Sequence, residues 1–119
     1  PRNLEIKLNQ LRVGLLLNAH KMAHSFTTID SDVCRCGLKQ TTKHFLLHCR
    51  LNNDIRRQML DRLNGLFTMH DINFSFNNLK QDDKIETLLY GINFLNIETN
   101  REVLSITSTF INESIKLVE

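Results

Sequence analysis

Leucines at Leu4, Leu8, Leu11 and Leu15 recur every three to four positions, with Lys7 and Arg12 elsewhere on the wheel, and this spacing predicts a helix running toward Gly14. The same helix bent at Gly14, or a second one, is expected to continue through Leu16 to His24. Residues 25–33, SFTTIDSDV, carry β-branched and turn-forming side chains without a helical period and read as a connection. After Cys49 the stripe Leu51, Ile55, Met59, Leu63 and Leu66 predicts a second strong helix, with Asn53 as its cap and Asn64-Gly65 as its stop. Residues 67–80, FTMHDINFSFNNLK, lose the period and read as a loop or extended segment whose three phenylalanines pack over the core. Asp83 with Glu86 resembles a capping box ahead of Ile85, Leu88 and Leu89, and Gly91 closes that short helix. Thr99 with Glu102 repeats the device before Val103, Ile106, Phe110, Ile111 and Leu117, so a long amphipathic helix is expected last.

The stretch between the first and second strong helices has a different character. CRCGLKQTTKHFLLHC, from Cys34 to Cys49, contains all three cysteines of the chain and two of its five histidines. An odd number of thiols within sixteen residues is a poor disulfide framework, because one is always left over. Metal coordination uses all three. Zinc takes thiolate and imidazole ligands in a tetrahedron, and two close pairs of ligands lower the entropic cost of assembling one. Cys34-x-Cys36 is one pair, followed by Gly37, which lets the backbone turn tightly around a metal. His44 and Cys49 are the other, on a segment that reads as helical. Five residues on an α-helix rotate about 140° past a full turn, so these two converge only where the last turn loosens. His44 and His48 share a face without distortion, and geometry does not choose between Cys49 and His48. Charge and softness favour Cys49, since a thiolate is a strong zinc ligand and an unligated thiol beside the ion is unfavourable. The expected site is one structural Zn²⁺ held by Cys34, Cys36, His44 and Cys49, with His48 as the alternative fourth ligand. His20, His24 and His70 read as surface or core-edge histidines.

Composition changes this picture little, and charge changes it more. With 119 residues, 41% hydrophobic, 24% charged and one proline, the chain is expected to form a single globular domain. It divides into N-terminal helices and a connection over 1–30, the metal stretch over 31–50 and C-terminal helices over 51–119. The fold class is mainly α, a small helical domain with a short zinc-bound turn or β-hairpin inserted between helices. The net charge of +2 conceals an asymmetry. Residues 1–62 hold eleven Lys/Arg against five acids, a net +6, and the remainder holds four against eight, a net −4. A basic half that carries the metal site points to a polyanionic partner. Without a basic-then-apolar leader or a run of about 18 apolar residues, the chain is expected to be intracellular, nuclear or cytoplasmic, with no membrane partner.

RVGLLLNAHKMAHSF, then C-x-C-x7-H-x4-C, then a helix with the paired Arg56 and Arg57, then LLYG, resembles the region C-terminal to the polymerase in non-LTR (LINE-like) retrotransposon reverse transcriptases. The resemblance covers most of the chain. It maps the zinc motif onto Cys34, Cys36, Thr42, His44 and Cys49, and by analogy leaves His48 outside the ligand set. It implies a fragment of a longer polyprotein, with the polymerase domain of the same polypeptide as a partner.

No polymerase chemistry is legible. The only adjacent carboxylates, Asp82-Asp83, precede a helical pattern and read as its cap, and four protein ligands on zinc leave no open position for a catalytic water. The chain is therefore expected to be non-catalytic, with no small-molecule substrate. Two functions remain. In one, Lys39, Lys43, Arg50, Arg56 and Arg57 contact the phosphates of template RNA or target DNA and help position the polymerase. In the other, zinc staples a structural or protein-docking domain without nucleic-acid contact, a reading favoured by the absence of tryptophan and the single tyrosine available for base stacking.

Overall fold

The computed structural model describes residues 2–12 and 33–118. The expected helix through His24, the bend at Gly14 and most of the connection over 25–33 lie outside the described residues. Four α-helices are described: α1 (Arg2–Arg12), α2 (Asn53–Met69), α3 (Gln81–Tyr90) and α4 (Ile97–Val118). A π-turn (His44–His48) and a 3-10 turn (Arg50–Asn52) lead into α2, and a second 3-10 turn (Phe76–Asn78) leads toward α3. Among the described residues no strand forms beyond an isolated antiparallel bridge between Val33 and Lys39.

Helix α4 is the spine, and α1, α2 and α3 all pack against it. Its buried face runs Val103, Thr107, Phe110, Ile111, Ser114, Ile115 and Val118. The expected stripe was only partly this one, because Ile106 is half-buried and Leu117 is 41% exposed. Hydroxyl residues take the places left over. Thr107 and Ser114 donate to the carbonyls of Val103 and Phe110 one turn back, so small side chains line the contact with no polar atom unpaired. Leu8 and Leu11 of α1 are buried as their spacing predicts, and the Arg12 Nε donates to the Leu89 carbonyl at 2.6 Å, tying α1 to α3.

Several helix boundaries differ from expectation, among them the start of α2, whose N-cap position is Asn52 and not Asn53. Helix α2 runs through Asn64-Gly65 to Met69, because Leu66 and Phe67 are buried beyond it, and their burial outweighs the roughly 1 kcal/mol that a mid-helix glycine costs. It ends instead where Asp71 takes a left-handed conformation, φ 58°. Asn96, not Thr99, caps α4, with its Oδ1 accepting from the Thr99 N–H at 2.8 Å. Helix α3 begins two residues before Asp83, which places Asp82 and Asp83 in its first turn, beside the positive end of the helix dipole. Gly91 does close α3, with φ 84°, and a Cβ there would stand 2.7 Å from the Asn100 Oδ1. Asn100 uses both ends of its amide on Ile92, accepting from the N–H at 2.8 Å and donating to the carbonyl at 2.9 Å. That pins the turn between α3 and α4. Phe67, Phe74 and Phe76 pack down as expected, the first and last buried and Phe74 half-buried.

Candidate metal centre

The first pair of ligands is set by a tight reverse turn. The Cys34 N–H donates to the Leu38 carbonyl at 2.7 Å and the Gly37 N–H to the Cys34 carbonyl at 2.9 Å. Gly37 adopts φ 100°, a conformation that disfavours any side chain. The second pair comes from the π-turn. Thr41 starts it, its Oγ1 accepting from the His44 N–H at 3.0 Å. Its far end closes with the Cys49 N–H donating to the His44 carbonyl at 2.7 Å, a bond spanning five residues instead of four. That is the loosening which an H-x4-C spacing requires. The wider turn brings His44 and Cys49 to one side and leaves His48 exposed, outside the cluster.

Donor atoms of Cys34, Cys36, His44 and Cys49 all lie within 4.8 Å of one another. The Cys34 and Cys49 sulfurs are 3.6 Å apart, and the Cys36 sulfur is 3.2 Å from the His44 Nε2. Zinc–sulfur bonds of about 2.3 Å in a tetrahedron put two sulfurs about 3.8 Å apart, and a disulfide would need about 2.05 Å. All three cysteines are free. The four-donor cluster is therefore compatible with one structural zinc, with three thiolates and one imidazole closing the coordination shell. Cys34 and Cys49 are buried, His44 is 7% exposed, and Cys36 is only half-buried.

The electrostatics of the four side chains fit the same chemistry. Burial, reinforced by the neighbouring thiols, pushes the Cys34 thiol up to about 12, so that a metal must displace its proton. Burial pushes Cys36 upward too, but hydrogen bonding from the Leu38 backbone and the other two thiols, with the Arg50 charge, outweighs it and leaves Cys36 below the ordinary thiol value. Burial, with the charges of His48 and Arg56, holds His44 below the ordinary imidazole value, which favours the neutral ring that binds metal.

Arg56 is not where the phosphate-contact reading put it. It is 9% exposed, and its guanidinium donates to the carbonyls of Leu46 at 2.8 Å, Cys49 at 3.0 Å and Phe45 at 3.3 Å, and to the Asn53 Oδ1 at 2.8 Å. These carbonyls lie around the end of the π-turn, where Asn52 also supplies a donor to Phe45, at 3.4 Å, and to Cys49, at 3.2 Å, and Arg56 alone serves Leu46. Arg56 is thus a clamp on the metal-bearing turn. The signal was present in the spacing, since Arg56 lies three and seven residues before the buried Met59 and Leu63 and so shares their face. Arg57 points away, exposed, with Asp54 at 3.7 Å. Lys39 and Arg50 are exposed, the latter's Nη2 lying 3.5 Å from the Cys36 carbonyl, and Lys43 is half-exposed with its Nζ 3.9 Å from Asp82. Arg35, passed over in the reading of contacts, is also exposed, between the first two ligands. His70 meets Glu102 at 3.2 Å on the surface.

No protein-family model, curated protein or solved structure matches this chain. Among the described residues no helix is long and apolar enough to cross a membrane.

Proposed function

We propose that the chain is a non-catalytic, zinc-stapled module that binds nucleic acid through the backbone and belongs to a retrotransposon-type reverse transcriptase, where it helps hold template RNA or target DNA. One observation carries the binding part of this reading. Residues 33–53 contain Arg35, Lys39, Lys43 and Arg50 and no acid, and these cations are interspersed in sequence with the ligands of a cluster whose three thiolates and one divalent zinc sum to about −1. Arg35, Lys39 and Arg50 lie at the surface without a carboxylate partner among the described residues. Held on a metal-stiffened turn, they present positive charge at little entropic cost, which suits phosphate contact more than base readout. The link to a reverse transcriptase rests on the sequence resemblance alone.

An anisotropy titration with labelled single- and double-stranded RNA and DNA at two salt concentrations tests it. Affinity is expected to fall steeply with salt, and Lys39→Ala with Arg50→Ala is expected to flatten the log–log slope by about 1 to 2 while zinc stays bound. A second reading, a protein-docking domain, is favoured by the exposure of Leu38, 61%, and Val33, 41%, beside the metal turn. Absence of binding to every nucleic acid at low salt would select that reading.

A further inference from the structure

The carboxylates at the start of α3 are not equivalent. Asp82 faces Lys43, whereas Asp83 and Glu86 have no cation partner among the described residues. Both line a cavity of about 240 Å³, walled otherwise mainly by Phe74, Leu79, Ile92 and Phe94. Phe94 is 66% exposed. Its ring sits 5.9 Å from that of Phe74, which itself packs edge-on against the buried Phe67 at 5.4 Å. Phe94 lies on the turn that Asn100 pins at Ile92, so its exposure comes with an ordered backbone.

Apolar walls alone would accept any hydrophobic side chain, but the rim decides. An apolar or anionic occupant would desolvate two carboxylates without pairing them. A guanidinium meets both demands, since its flat face stacks on an aromatic ring while its edge donates to carboxylates. An ammonium has no such flat face to lay on a ring. The stretch that forms most of the groove, residues 81–96, holds three acids against one lysine, a net −2, which attracts a basic segment and repels a polyanion. We propose that the groove between the start of α3 and the turn before α4 docks an arginine of a basic segment in a partner protein, stacked on Phe94 and paired with Asp83 and Glu86. Lys43 of the metal side reaches the neighbouring Asp82 but does not line the groove, and the proposal does not depend on nucleic-acid binding.

The test is a fluorescence-anisotropy titration of the zinc-loaded chain with a labelled heptapeptide bearing two arginines among glycine and serine. Matched peptides carry lysine, or the uncharged isostere citrulline, in place of arginine. The expected order is arginine over lysine over citrulline, with citrulline at least about fivefold weaker. Glu86→Gln and Phe94→Ala should each weaken the arginine peptide by about fivefold or more, with helicity and zinc content unchanged because both side chains are exposed. Glu113→Gln, an exposed carboxylate near the far end of α4, should leave affinity unchanged. Equal binding of the arginine and citrulline peptides, an equal loss from Glu113→Gln, or no binding overturns the proposal. Self-association of the unmodified chain that Glu86→Gln abolishes would also overturn it, by making a second copy the occupant.

Discussion

Arg56 shows how a charge becomes structural. Its guanidinium meets three carbonyls around the end of the π-turn: Asn52 also donates to two of them, from its Nδ2 to Phe45 at 3.4 Å and from its N–H to Cys49 at 3.2 Å, and Leu46 has Arg56 alone. Removing it leaves the buried Leu46 carbonyl unpaired, at a cost of about 1–3 kcal/mol, and takes a charged donor away from the other two. Arg56→Ala is therefore expected to lower stability by about 3 kcal/mol and to weaken zinc retention, measured by urea denaturation and metal analysis. Arg56→Lys should recover only part, because an ammonium does not reproduce the fork. Arg57→Ala should stay within about 0.5 kcal/mol, since its pairing with Asp54 is exposed. The two arginines read alike as neighbours in sequence. Their difference lies in which face of α2 the core covers, and a nucleic-acid test that removes both would confuse unfolding with lost contact.

At the level of elements, the π-turn brings Cys49, and not His48, into the donor cluster. His48→Ala is expected to keep one equivalent of zinc, and Cys49→Ser to lose most of it, by metal analysis after gel filtration. Acid should act in the same direction as ligand loss. Protons compete with zinc for three thiolates and an imidazole, so zinc release to a chromophoric chelator should increase as pH falls from 7.5 to 5. The metal-free chain should share that trend. A His44 held below its ordinary value takes protons less readily folded than unfolded, so its contribution lowers stability as pH drops through the unfolded value near 6.5 and levels off below the folded one. The ligand types and both pairs were legible because zinc chemistry is written in residue type and spacing. The choice between Cys49 and His48 was not settled by helical geometry, because it depended on one hydrogen bond shifting by a residue. Helix ends were less legible still. Asn64-Gly65 is a strong local stop signal, and only the pocket that receives Leu66 and Phe67 overrides it.

At the scale of the molecule, α4 is a partner to every other described α-helix, not a peripheral addition. Deleting residues 98–119 should abolish cooperative thermal unfolding, and Phe110→Ala, which removes the ring facing Phe45 of the metal turn at 5.6 Å, should cost about 3–5 kcal/mol. Circular dichroism melts with zinc present check both. The helical class and the order of the elements followed from periodicity. The burial of Thr107 and Ser114 did not, since a polar side chain satisfied by its own helix looks solvent-facing in sequence.

The order of the metal turn and α4 along the chain also sets a timetable. The metal turn joins ligands at most fifteen residues apart, and the clamp from Arg56 adds only a few more, so this unit has low contact order and closes early. The pairing of α1 with α4 encloses most of the polypeptide between its partners and comes last. On the ribosome, zinc can be captured while Met59, Leu63 and Phe67 still face solvent, and that apolar strip stays uncovered until Ile97–Val118 emerges. The interval before α4 is made is when this unit exposes the most apolar surface to aggregation.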